Sequence, residues 1–197
     1  RLVCLGGQRR RFVMKELPPL VLLEEMPGRD STEKWRLYLD CIYEVFCCEV
    51  ANAQLKFRGL PVRCRYHEPY DGKHFSFWHL ISEGRIEEDR TPDLERCCRI
   101  KWIGWIIGNA DDSVLIRSWE TERSTRRGRR TRIPLWLYSE DYVVILEKRA
   151  NFYLLITSYC VLPGQKKKFE KEWADWIAYK AEAAGKAASD APFTHGE

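Results

Sequence analysis

From residue 31 onward the apolar positions recur at spacings of three and four. Trp35, Leu39, Ile42, Phe46 and Val50 fall on one face of a helix predicted over 31–51. Ser31 or Thr32 is placed to cap its amino end, with Glu33 and Lys34 in the first turn. The period then changes to two. Leu55-Lys56-Phe57-Arg58 and Val62-Arg63-Cys64-Arg65-Tyr66 alternate apolar and basic, punctuated by Gly59-Leu60-Pro61 and Pro69-Tyr70-Asp71-Gly72. Two short strands, arranged as a hairpin, are expected there. Helical spacing returns over 92–110, with Pro92 in the first turn and Gly108-Asn109 as the stop. Leu94, Cys97, Cys98, Trp102, Trp105 and Ile106 build its apolar stripe.

The rest reads as a strand meander over 113–120, 132–139, 141–149 and 151–162. Arg149-Ala150-Asn151 is the tight connection between the last two strands. "YVVILE" and "YLLITSY" are almost continuously apolar, so both should be central strands buried on two faces. Pro163-Gly164 ends the sheet, and 165–183 forms a charged helix with Phe169, Trp173, Trp176 and Ile177 on one side. Residues 184–197, rich in Ala, Gly and Ser, are expected to be a disordered tail, and 1–30 a partly irregular extension. Met14 opens a stretch that reads as a natural start, which would make 1–13 an upstream extension or a remnant of a longer chain. The fold class is therefore α+β, a single domain over 31–183. It would hold a small twisted antiparallel sheet of about four to six strands, with helices at both ends and one in mid-chain.

Composition adds constraints. The chain has 197 residues, enough for one domain with a substantial core. Eight Trp, nine Tyr and eight Phe supply large buried areas, and also surfaces on which bases stack. A net charge of +4 argues weakly for nucleic acid, but the positive charge is unevenly distributed. The eight cysteines form no CxxC and fit no zinc-finger spacing, so buried reduced thiols and a cytoplasmic location are expected. No apolar run reaches the roughly 18 residues of a membrane span. The first residues lack the long apolar centre of a signal peptide.

Three groups could carry chemistry. In Gly72–Gly84, "GKHFSFWHLISEG", Lys73, His74 and His79 fall within one short segment. As a strand, Lys73 and His79 would share a face and His74 would lie opposite; as a helix, His74 would neighbour Trp78. Two imidazoles and an ammonium suit phosphodiester chemistry: one takes a proton, one gives a proton, and the cation stabilises a phosphorane. Histidines among aromatics equally serve as structural groups. The second group is "ERSTRRGRRTR", 122–132, read as an exposed loop whose Arg126, Arg127, Arg129 and Arg130, with Arg123 and Arg132, form a phosphate clamp or a solvated turn. The third is the last hairpin, where Arg149 ends one strand while Thr157 and Tyr159 share a face of the next. These could be core groups or part of a site. No P-loop, GxSxG or HExxH occurs, and His67, His74, His79 and Asp71 fit no standard metal motif, so neither metal nor cofactor is expected.

"GKHFSFWHLISEG", "TPDLERCCRIKWIGWIIGNA" and "YVVILEKRANFYLLITSYCV" together resemble phage- and plasmid-borne members of the barnase–EndoU–colicin–RelE-like (BECR) nuclease superfamily, over about residues 52–162. The resemblance implies helices packed on a small twisted sheet that forms an RNA-binding cleft. It implies a metal-independent ribonuclease of toxin or effector type, acting on tRNA or mRNA by 2′-hydroxyl attack. It points to Lys73, His74 and His79 as the acid–base group and to Thr157 as a phosphate contact near Arg149. An immunity or antitoxin protein would be a partner of such a toxin, with no membrane involved. The chain departs from the barnase pattern in having no clear glutamate base by the histidines beyond Glu68 and Glu83. The alternatives are a non-catalytic nucleic-acid-binding protein using the arginine segment, and a protein-interaction or inhibitor domain.

Overall fold

A computed structural model describes residues 16–65, 67, 69–84, 89–125 and 128–189. Helix α1 spans Ser31–Phe46. Its cap is Asp30, one residue before the expected Ser31 or Thr32. The Asp30 carboxylate accepts from the backbone N–H of Thr32 and Glu33 at 3.0 and 2.9 Å. These are two of the donors that a helix start leaves without partners. The expected helix does run to Ala51, but Cys47–Ala51 is a π-helical turn.

Strands β1 (Lys56–Phe57) and β2 (Leu60–Arg63) form the expected hairpin. Helix α2 covers Phe75–Ile81. Strands β3 (Ser82–Glu83) and β4 (Thr91–Pro92) make a separate small pair. Pro92 therefore sits in a strand, not in a helix. The helix predicted over 92–110 is two pieces, α3 (Leu94–Cys97) and α4 (Ile100–Asn109). Asp93 caps the first through the Glu95 amide at 2.9 Å, and Arg99, at φ −97° and ψ 15°, breaks the helical path.

The main sheet contains β5 (Ile116–Ser118), β6 (Thr121–Thr125), β7 (Gly128–Leu137), β8 (Tyr142–Lys148) and β9 (Tyr153–Cys160), in the order β1-β2-β9-β8-β7-β5, with β6 also on β7. Most pairs are antiparallel, but β2 runs parallel to β9, so the sheet is mixed where an antiparallel one was expected. The fold class is α+β, and β8 and β9 are central as their apolar runs foretold.

The two sheet faces differ. One carries Ile133, Leu135, Tyr142, Val144, Leu146 and Leu155 and forms the main core with α1 and α4, where Ile42, Phe46, Ile103 and Ile106 are buried. The other carries Trp136 and Val143, packed with Trp119, Val161 and Phe169. Helix α5 (Pro163–Ser189) supplies Phe169, Trp173 and Trp176 to that second cluster. It continues through 184–189, expected as tail, because the alanines there favour helix. Residues 190–197 lie outside the described residues.

The described cysteines are unpaired thiols. Burial pushes the Cys97 thiol up to about 12 and that of Cys64 up to about 11. Among the described residues, no helix is long and apolar enough to cross a membrane.

Candidate nucleic-acid interface

Strand register assigns side chains to the second face. Residues directly opposite one another share a face. Arg123 opposes Arg130, Arg132 opposes Glu147, Glu147 opposes Leu154, Ile145 opposes Thr157, and Val143 opposes Tyr159. A bulge between Ile145 and Leu146 keeps Leu154 and Thr157 on one face although they are three apart. The second face is thus divided lengthwise. Its apolar half lies under α5, and its other half bears Arg123, Arg130, Arg132 and Glu147.

Glu147 is 3% exposed, which makes its partners obligatory. Arg132 reaches Oε2 at 2.9 Å, and Arg149 pairs with Oε1. Burial holds the Arg132 guanidinium below its usual range; Glu147 opposes this, and Arg65, Arg149 and Arg123 add to the depression. The strongest charges acting on Arg132 are therefore one carboxylate and three more guanidiniums. Tyr159, opposite Val143, packs on the apolar cluster under α5. Burial raises its phenol, Arg123 and Arg96 act against that, and the Arg96 guanidinium lies 5.9 Å from its ring.

The arginine segment is not the loop its composition suggested. It is the β6–β7 hairpin, with Gly128 at φ +98° beside its turn. Alternation sends Arg130 to the face of Arg132 and Arg129 to the opposite one. Arg126 and Arg127 lie outside the described residues.

The structure does not bring Lys73, His74 and His79 together. The segment is a helix, so the strand arrangement with Lys73 and His79 on one face is excluded. Lys73 donates to Asp40 of α1 at 2.8 Å and lies 5.2 Å from the Tyr43 ring. His74, the residue before α2, is exposed and packs beside Tyr43 and Phe46, also of α1. His79 turns elsewhere. It stacks on Phe75, one helical turn earlier, with centroids 6.0 Å apart and planes 16° apart. His67 packs tilted against the same Phe75 at 4.6 Å, and Arg65 lies 5.9 Å from that ring. Arg65 follows β2, whose Arg63 pairs with Leu154 opposite Glu147, so the His67/Phe75 group lies at the edge of the Glu147 group.

Of the residues singled out from sequence, Arg130 and Arg149 share the basic face, Thr157 borders it, Tyr159 packs instead on the apolar cluster under α5, and His79 lies near the edge of the face through Phe75. Lys73 and His74 belong to the contact with α1. Glu147 was missed, as was the part played by Arg65. The available signal was a lone carboxylate ending the apolar run "YVVILE", where a charge has to be matched. Among the described residues, no cluster of His, Cys, Asp and Glu could hold a metal ion. Comparison with family models, curated proteins and solved structures finds no match to this chain.

Proposed function

We propose that the protein is a ribonuclease whose site is the basic half of the second sheet face. The observation that supports it is a single buried carboxylate shared among an excess of guanidiniums. A polyanion brings the charge that such a group lacks, and guanidiniums match phosphate geometry in pairs. On this reading Arg132 and Arg149 shift from Glu147 to the scissile phosphate when RNA binds. The freed Glu147 carboxylate takes the proton of the ribose 2′-hydroxyl, and the 2′-oxygen forms a bond to phosphorus. The bond to the 5′-oxygen breaks, and that oxygen leaves with a proton from the His79 imidazolium. The products are a 2′,3′-cyclic phosphate and a 5′-hydroxyl. Arginines supply the stabilisation of the phosphorane, so the step runs without a metal. This is the chemistry implied by the resemblance to BECR nucleases, with the base on a strand and not beside the histidines.

The test is cleavage of RNA in EDTA. Wild type should produce cyclic-phosphate ends. Glu147→Gln and His79→Ala should each lower the rate about 100-fold or more, while His74→Ala should act as wild type. Full activity in both Glu147→Gln and His79→Ala, with folding checked by circular dichroism, would remove the assignment. Both Glu147 oxygens are engaged by arginines, which favours a second reading, binding without cleavage. That outcome is salt-sensitive RNA binding with intact RNA recovered.

A further inference from the structure

Phosphate contacts hold a nucleic acid but do not distinguish single strands from duplex. Beside the arginines lies a feature that does. His67 is exposed, and its ring packs tilted against half-buried Phe75, with centroids 4.6 Å and planes 31° apart. Phe75 in turn stacks on His79. The Ser76 hydroxyl donates to the Arg65 carbonyl at 3.2 Å, tying the strand exit that carries Arg65 and His67 to α2. The rings therefore form a shelf whose outer member is open to solvent. Arg65 follows β2, whose Arg63 pairs with Leu154 opposite Glu147, so the shelf adjoins the edge of the basic face.

Resting on the ribonuclease reading above, we infer that His67 and Phe75 form a base-stacking subsite next to the phosphate site, which commits the protein to single-stranded RNA. A base can lie on this shelf only when it has left its own stack and pair. A duplex presents its phosphates to the arginines but hides the base faces. Stacking on an aromatic platform tolerates any base, so the shelf selects strandedness more than sequence.

Binding to 2′-O-methyl oligonucleotides tests this, since they lack the nucleophile and stay intact. Fluorescence anisotropy would compare oligoadenylate, an abasic strand and a duplex of equal length with the full chain. Wild type should prefer oligoadenylate to both. His67→Ala, an exposed site, should weaken oligoadenylate about 5- to 150-fold, the range of one base–aromatic stack, and leave the abasic strand unchanged. Phe75→Leu should do the same. Equal affinity for oligoadenylate and the abasic strand, or an unchanged preference in His67→Ala, overturns the subsite while leaving the phosphate site standing. Abasic-strand binding that is absent, or unaltered in Arg132→Ala, overturns the phosphate site and the subsite with it.

Discussion

Glu147 is the residue on which the basic face turns. A buried carboxylate bound by two guanidiniums contributes little net stability compared with an apolar replacement, but removing one partner strands the other. Glu147→Gln keeps the shape and deletes the charge that Arg132 and Arg149 share. Both arginines retain partial solvent access, at 19% and 33% of their side chains, so the cost should be moderate, about 2–3 kcal/mol. An anion can occupy the vacated place. At about 100 times its Kd, phosphate would restore about 2.7 kcal/mol. Thermal unfolding should therefore show phosphate raising the Tm of Glu147→Gln well above the effect of chloride at equal ionic strength, and raising wild type less. Identical responses to the two salts would mean that no phosphate-sized anion is held there.

Among the elements, those legible in the sequence were the ones governed by local periodicity. Helix α1 followed from the stripe that buries Ile42, Phe46 and Val50, and the β8–β9 hairpin from two apolar runs joined at Arg149-Ala150-Asn151. What escaped depends on contacts distant in sequence. The parallel pairing of Val62 with Tyr153 has no local signature, and neither has the placement of Glu147 opposite Arg132. His74 and His79 looked like partners because they are close in sequence, yet five helical residues turn them to different neighbours. The π-helical turn was also illegible, and it makes a specific contact. A Cβ on Gly104 of α4 would stand 2.3 Å from the Glu49 carbonyl oxygen in that turn, while one on Gly108 would meet nothing within 4 Å. The same substitution should then have opposite signs in one helix. Gly104→Ala should cost about 1–3 kcal/mol through overpacking. Gly108→Ala should gain about 0.5–1 kcal/mol from the lower entropy of the unfolded chain. Urea denaturation of the two variants measures both, and a neutral Gly104→Ala would show that α4 and the turn separate freely.

At the scale of the molecule, the second face of the sheet has an apolar half and a charged half, and α5 covers the apolar one. The main core on the first face depends on α1 and α4. On the second face Trp119 and Trp136 are fully buried, and Phe169 closes over both, at centroid distances of 5.2 and 5.6 Å. The helix is fastened further along its length. The Arg117 guanidinium lies 3.5 Å from the Tyr138 ring centroid and 4.4 Å from that of Trp173, joining β5 to α5 through a cation between two rings. The Trp119 indole donates to Glu172 at 3.0 Å, and Lys166 donates to Asp141 at 2.9 Å. In the basic half Arg132 and Arg149 each pair with Glu147, and among the described residues no ion pair joins them to α5. Phe169→Ala should therefore lower global stability by about 3–5 kcal/mol, the usual cost of emptying a buried aromatic site. It should leave the affinity for an abasic strand unchanged at temperatures where the variant stays folded. Arg149→Ala should instead weaken the abasic strand and reduce the slope of log affinity against log salt by about one contact, with a smaller stability cost because Glu147 keeps Arg132. Measuring both variants by urea denaturation and by anisotropy across a salt series separates the two halves. If Phe169→Ala weakens the strand as much as Arg149→Ala does, α5 takes part in binding and the division of the face fails.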